Sequence, residues 1–157
     1  MNQFIFDSFT EAIVIVFSEN RLGRITINDS RDSDQMQEVI THIGISGAIR
    51  GNLILKTDFK SAARLVGTIL EEMELQAADQ DSFGELHRTA MGEIANQISG
   101  RAITILSTHK IDCHITPPTI ITGRKITYQL SDSDSSVYKK IQGRFGAIWF
   151  ALGIKNS

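Results

Sequence analysis

The longest regular pattern in the chain is helical, starting near Ser82 and ending near His109. Apolar residues recur along it every three or four positions, which is the spacing of one buried helix face. These apolar positions are Phe83, Leu86, Ala90, Ile94, Ile98, Ala102 and Ile105. The pattern therefore predicts one long helix that packs its apolar face onto the rest of the fold.

A polar stripe runs along the opposite side of this predicted helix. At about 100° per residue, Thr89, Glu93, Asn96 and Gly100 fall close together on it. Glu93 and Asn96 are three residues apart, so their side chains are neighbours that point the same way. Gly92 and Gly100 each cost a helix roughly 1 kcal/mol relative to alanine. That cost is reasonable if a partner has to approach the helix backbone closely, so we expect both glycines on a smooth outward surface.

The remaining patterns are short and predict a mixed fold. Helical spacing covers residues 7–18, with Asp7 or Ser8 as the N-cap, and a second helix after the cap residue Asp58. Alternating spacing predicts strands at 24–27, 39–45, 49–55, 111–115, from 126 onward, at 137–142 and at 145–154. Helices and strands follow one another without a βαβ rhythm. The order predicts an α+β fold, an antiparallel sheet with long helices packed on one face.

The last predicted strand, 145–154, is apolar on both faces. Ile148, Phe150, Leu152 and Ile154 point one way, and Ala147, Trp149 and Ala151 point the other. A strand of this kind is either central in its sheet or part of an interface.

Composition limits the class of protein. The 157 residues suit a single domain, 1–157, and the net charge of −2 with no basic block gives no reason to expect a nucleic-acid partner. One cysteine allows no internal disulfide and fits a reducing compartment. The N-terminus does not read as a signal peptide, and the longest apolar run, 12–17, is too short to span a membrane. We therefore expect a cytoplasmic protein without a membrane segment.

Other chemistries have little support in the sequence. His109, Cys113 and His114 do not match the spacing of a common zinc site, and alternation directs Cys113 and His114 to opposite faces. His42 and His87 stand apart from any nucleophile motif. The sequence also contains no phosphate-binding glycine motif.

One combination of residues is more specific. Glu93, two residues and Asn96, followed by Pro118, resembles the motif of the CheC/CheX/FliY phosphatase family. In that motif an acidic or hydroxyl residue precedes the Glu by four positions, and a proline follows the Asn after about twenty-two. Thr89 fills the first position, where the family more often has Ser or Asp. The resemblance is strongest over residues 82–125 and is closest to CheX.

The resemblance implies a fold and a reaction. It implies the CheC-like form of the α+β fold and a phosphatase for the phosphoaspartate of a CheY-like response regulator. Asn96 would hold the attacking water, and Glu93 would pair with a lysine of the receiver domain. Thr89, Gly92, Gly100 and Pro118 would line the surface that meets the receiver.

The resemblance also implies what this chain does not supply. The Mg²⁺ ion would belong to the receiver, so we expect no cofactor and no metal in this chain. Glu11 is followed three places on by Val14 rather than by Asn, so a second motif is absent. CheX-like members of the family carry one motif, which together with the doubly apolar last strand predicts a homodimer with one site per protomer.

Two rival functions remain open. A non-catalytic adaptor could use the same surface to bind a receiver or a flagellar switch component. A small-molecule sensor is a weaker alternative, since no ligand motif supports it. Asn96 separates the first rival from the phosphatase, because an adaptor does not need an amide to orient water.

Overall fold

The computed structural model describes residues 1–31, 37–72, 84–128, 130 and 133–155. These residues form three helices and seven strands. Their bounds are α1 Asn2–Glu19, β1 Thr26–Asp29, β2 Gln37–Gly47, β3 Arg50–Thr57, α2 Phe59–Glu72, α3 Glu85–Ser107, β4 Cys113–Ile115, β5 Thr119–Ile126, β6 Ser135–Gly143 and β7 Gly146–Lys155.

The strands form one antiparallel sheet in the order β1-β6-β7-β3-β2, and both β4 and β5 pair with β2. The hairpins β2–β3 and β6–β7 join neighbouring strands, as the alternating patterns predict. The predicted α+β class, with an antiparallel sheet and long helices, is confirmed. No helix of the described ranges is long and apolar enough to cross a membrane.

The main core lies between the helices and one face of the sheet. Alternate residues of β2, such as Val39 and Ile43, point into this core with the buried faces of α1, α2 and α3. Ile40 points to the opposite face, where it forms a small second cluster with Ile54 and Ala151. The helices therefore cover one face, and their outward sides stay available for other contacts.

β7 is a central strand, as its two apolar faces suggested. It pairs with β3 on one side and with β6 on the other. Phe150 lies in the main core, while Ala151 lies in the second cluster and the ring of Trp149 lies 5.2 Å from Lys140 Nζ. The position of β7 within the sheet accounts for its composition without an interface between protomers.

The predicted start of α1 is wrong. The helix begins at Asn2, five residues before the predicted range 7–18, because Ile5 extends the apolar stripe and is fully buried. Ser8 lies inside the helix, where its hydroxyl donates to the Phe4 carbonyl at 2.8 Å instead of capping free amides. The cap of α2 is as predicted, since Asp58 Oδ1 accepts a hydrogen bond from the Ser61 N–H at 2.6 Å.

The observed bounds of two strands, β5 and β1, differ from the predicted ones. The chain re-enters the sheet directly after Pro118 as β5, whereas the sequence predicted a strand only from residue 126. Ile120 and Ile121 are adjacent in sequence and pack into clusters on opposite faces of the sheet. The sequence here therefore lacks the alternation of apolar and polar residues that marks a strand with one buried face. β1 likewise covers Thr26–Asp29 rather than 24–27, and its last pair with β6, Asp29 opposite Lys139, also forms an ion pair.

Some stretches of the sequence lie partly or wholly outside the described residues. These are the predicted start of the long helix near Ser82, the acidic stretch 74–81, and parts of the polar stretches 28–34 and 131–136. Within those segments, Asn28 and Asp29 belong to β1, and Ser135 and Ser136 belong to β6.

Candidate functional site

Helix α3 carries the predicted motif and is fixed along one side. The backbone N–H of Gly84 donates to Nδ1 of His87 at 3.1 Å, which satisfies one donor at the N-terminal end of the helix. Ile94, Ile98 and Ala102 are buried as predicted. Leu86 is 49% exposed, contrary to the prediction, because the first turns bury His87 and Met91 instead.

An open groove of about 420 Å³ lies between α3 and the chain around Pro118. The groove brings together five of the six residues predicted for the site, and three others that the sequence did not single out. Its lining consists of Glu85, Arg88, Thr89, Gly92, Glu93, Asn96, Pro118 and Ile120. Gly100, the sixth, lies one turn beyond Asn96 on α3 and does not line the groove.

Asn96 presents an unengaged amide to this groove. Its side chain is half-buried, and no residue in the described part of the chain forms a hydrogen bond with it. The neighbouring amide of Gln97 is engaged on both sides, by Asn20 and Glu93. An amide has two donors and an acceptor, so Asn96 retains its full capacity to bind a water or a partner group.

Glu93 is the exposed acid of the motif. Its Oε1 lies 3.4 Å from Nε2 of Gln97, one turn further along α3. Glu93 and Asn96 line the same groove, as their three-residue spacing on a helix predicts. An ionised carboxylate and a free amide therefore stand side by side on a rigid element.

Thr89 has a different environment from the other motif residues. Its hydroxyl donates to the carbonyl oxygen of Glu85 at 3.1 Å, which is a hydrogen bond within its own helix. Such back-bonding uses the only hydroxyl proton. Thr89 consequently offers the groove acceptor lone pairs and a methyl group, and the donor would be released only by rotation.

The predicted role of Gly92 needs correction. Gly92 is buried, and a Cβ atom there would lie 3.2 Å from Cγ of Pro118 and 3.3 Å from Cδ1 of Ile120. The glycine is needed because β5 and the preceding proline pack against α3, not because a partner approaches at that point. Gly100 has open space above it, as expected for a smooth outward surface.

Arg88 holds the other wall of the groove in place. Its Nη1 donates to Oγ1 of Thr122 at 2.9 Å, and its Nη2 donates to the carbonyl oxygen of Ile120 at 3.0 Å. The two donors link α3 to β5 and so fix the approach of Pro118. Arg88 gives no signal in the sequence, because its partners lie more than thirty residues away, on a strand that the sequence pattern does not predict.

The described residues offer no cluster of metal-binding side chains. Across the described ranges, no group of three or more His, Cys, Asp or Glu side chains could hold a metal ion. Cys113 is buried on one face of β4, and His114 is exposed on the other, as alternation predicts. His109 instead packs against Phe4, with ring centroids 4.5 Å apart and the ring planes tilted by 54°.

The surroundings of Gly92 and Gly100 in α3 lead to a prediction about stability. Gly100→Ala should raise the free energy of unfolding by about 1 kcal/mol, because alanine favours the helix and meets nothing. Gly92→Val should lower it by about 1–3 kcal/mol, because its larger side chain overpacks Pro118 and Ile120. Urea unfolding measures both. Equal and small changes for the two variants would contradict the packing of Gly92 described above.

Comparison with known proteins points in one direction. Residues 39–141 match the family model described as chemotaxis phosphatase CheX. The CheY-P phosphatase CheX of Thermotoga maritima is 33% identical over 88 residues, which are 56% of this chain and 54% of that protein. The match therefore spans about half the length of that relative.

Solved structures share the fold over nearly the whole chain. The chemotaxis protein CheX of Vibrio vulnificus superposes with a TM-score of 0.81 and 18% identity, covering 96% of this chain and 99% of that one. The CheX–CheY–BeF₃–Mg²⁺ complex of Borrelia burgdorferi gives a TM-score of 0.78 and 20% identity, covering 96% and 97%. At these identities the likeness establishes the CheC-like fold.

Proposed function

The chain belongs to the CheX family of chemotaxis phosphatases, and from this premise we propose that it dephosphorylates the phosphoaspartate of a CheY-like response regulator. The matching relative in Thermotoga maritima is a CheY-P phosphatase, and a CheX of the same fold forms a complex with CheY. The single observation that carries the proposal is the unengaged amide of Asn96, which lies beside the exposed carboxylate of Glu93 in one groove.

The reaction requires little chemistry from this chain. A water oxygen forms a bond to phosphorus while the bond between phosphorus and the aspartate oxygen breaks. One proton of the water stays on the attacking oxygen, the other passes to a phosphoryl oxygen of the released phosphate, and the aspartate leaves as a carboxylate. Transfer of a phosphoryl group depends chiefly on positioning and charge stabilisation. The amide of Asn96 can hold the water in line, although it cannot serve as a base.

Glu93 would set the docking register. A carboxylate on a helix face can form a charge-assisted hydrogen bond with a lysine of the receiver. The receiver would also supply Mg²⁺, which neutralises the charge on the phosphoryl oxygens. This chain would therefore act without a cofactor of its own, and its contribution is to place Asn96 and Glu93.

The direct test is phosphate release from a phosphorylated CheY-like receiver, with and without this chain. We expect a rate that rises in proportion to the concentration of the chain and saturates as the concentration of phosphorylated receiver is raised. Binding without any acceleration would instead favour the adaptor function, in which Glu93 docks and Asn96 is idle. Assaying every receiver that co-purifies with the chain identifies the substrate.

We further propose that the protein is a cytoplasmic homodimer with one site per protomer. The proposal rests on the family and on the single motif. The two apolar faces of β7 no longer argue for a dimer, because the central position of the strand in the sheet explains them. We expect light scattering at tens of micromolar to give about twice the mass of 17.4 kDa. A mass equal to that of one chain would contradict the dimer and leave the phosphatase proposal untouched.

A further inference from the structure

We propose that Asn20, at the end of α1, positions the docking acid Glu93 through the side chain of Gln97. Its consequence for docking rests on the proposed function, whereas the positioning itself is a property of the free chain. Asn20 and Gln97 are 77 residues apart in sequence and meet where α1 packs on α3. We call the side chains of Asn20, Gln97 and Glu93 the amide relay.

The relay is a continuous line of hydrogen bonds. Nδ2 of Asn20 donates to the carbonyl oxygen of Val16 at 2.8 Å and to Oε1 of Gln97 at 2.9 Å. Nε2 of Gln97 then points to Oε1 of Glu93 at 3.4 Å. The last contact is the longest, so it orients the carboxylate without holding it tightly.

The chemistry of the two ends determines the direction of the line. The Val16 carbonyl at one end and the ionised carboxylate of Glu93 at the other can only accept hydrogen bonds. Asn20 therefore has to turn its nitrogen toward Val16, which leaves its second N–H for Gln97. Gln97 receives that N–H on its oxygen and must present its own nitrogen to Glu93. Each amide is thus fixed in one of its two orientations.

The origin of the relay is itself well anchored. Asn20 directly follows α1, and its backbone N–H donates to the Val16 carbonyl at 3.0 Å. Next to it, Glu19 forms an ion pair with Arg101 at 2.5 Å, one turn beyond Gln97 on α3. The two contacts lie side by side across α1 and α3. The end of α1 therefore gives the relay a fixed starting point.

The expected benefit is preorganisation of the docking group. An exposed glutamate samples several rotamers, and ordering such a side chain on binding weakens affinity several-fold. Contact with Gln97 occupies one carboxylate oxygen and leaves Oε2 for a partner. We therefore assign Asn20 and Gln97 as positioning residues, which act on binding through Glu93 and do not touch the reacting phosphorus.

The first experiment uses the free chain. The side-chain NH₂ resonances of Asn20 and Gln97 are recorded in the ¹⁵N-labelled protein and in Glu93→Ala. We expect the signals of both residues to shift, and the response of Asn20 to disappear when Gln97→Ala is also present. Glu85→Ala, which removes another acid from the groove, should leave both signals in place. If the chemical shifts of the Asn20 side chain do not change in Glu93→Ala, the relay is overturned.

The second experiment measures docking to a receiver loaded with a stable phosphate mimic. Asn20→Ala and Gln97→Ala should each weaken affinity about three- to tenfold, raise KM similarly and leave kcat unchanged. Because the two residues act in series, the double variant should be no weaker than the weaker single variant. In the background of Glu93→Ala, neither change should have a further effect.

Glu19→Ala is the matched control for this second experiment. It removes the neighbouring ion pair between α1 and α3 and leaves the relay intact, so affinity should stay within about twofold of wild type. Equal losses in Glu19→Ala and Asn20→Ala would show general loosening of the helices and overturn the positioning role. If wild type accelerates no receiver, the proposed function fails, and the resonances of the free chain still decide whether the relay exists.

Discussion

Replacing Asn96 with alanine should lower the stimulated rate of phosphate release on the order of 100-fold, because misplacing a reacting group costs about that factor. The amide of Asn96 is half-buried in the groove and has no hydrogen bond to any other described residue. Its loss should not disturb the fold, and Glu93 remains to dock. Affinity for a receiver with a stable phosphate mimic should therefore stay close to that of wild type.

Two further variants make the Asn96 result specific. Asn96→Asp keeps the shape of the side chain but replaces the amide donor by a charge that repels the phosphoryl oxygens, so it should not restore turnover. Thr104→Ala changes an exposed residue two turns further along α3, whose hydroxyl donates to the carbonyl oxygen of Gly100 in the same helix. It should turn over normally. Near-normal turnover in Asn96→Ala would reject the water-positioning mechanism and favour the adaptor.

The sequence was sufficient to predict the central elements of the fold. α3 is recognisable because its apolar spacing persists over six turns, and few residues interrupt it. The hairpin β2–β3 was predictable because apolar residues recur at alternate positions, Ile43 and Ile45 in β2 and Leu53 and Leu55 in β3, and these residues pack into the main core. These patterns depend on local spacing, which a single sequence displays directly.

The predictions that were wrong concern features that depend on contacts between residues distant in the sequence. β5 carries the adjacent pair Ile120 and Ile121, which serve two clusters on opposite faces of the sheet. Without knowledge of that packing, the segment lacks the alternation of a strand. Gly92 was placed on the outer surface for the same reason. Its position against Pro118 becomes evident only after β5 is known.

The candidate site divides in a similar way. The spacing of Glu93 and Asn96 places them together on any helix, and the family motif adds Pro118. Arg88 and Gln97 gave no signal in the sequence, because their partners are 34 and 77 residues away. The residues that present the motif are therefore readable from the chain, whereas those that support it require the fold.

Replacing Glu93 with alanine should lower affinity for the receiver much more than turnover, which is the opposite of the result expected for Asn96→Ala. In a closed complex, removing one member of a buried charge pair costs about 2–5 kcal/mol, expressed mainly in a faster off-rate. We therefore expect a large loss of affinity for the mimic-loaded receiver, while turnover at saturating chain falls far less. Glu93→Gln retains the shape but loses the charge, so its affinity should be nearer to that of alanine than to wild type.

Glu85 supplies the control that separates a specific pair from general acidity. It is exposed and lines the same groove two turns before Glu93, but the amide relay does not touch it. If long-range attraction to a basic receiver dominated, Glu85→Ala and Glu93→Ala would reduce the on-rate alike, and salt would suppress both effects. A specific contact instead confines the loss to Glu93 and to the off-rate. If Glu93→Ala binds as tightly as wild type while Asn96→Ala does not bind, the docking and water-positioning roles belong to the opposite residues.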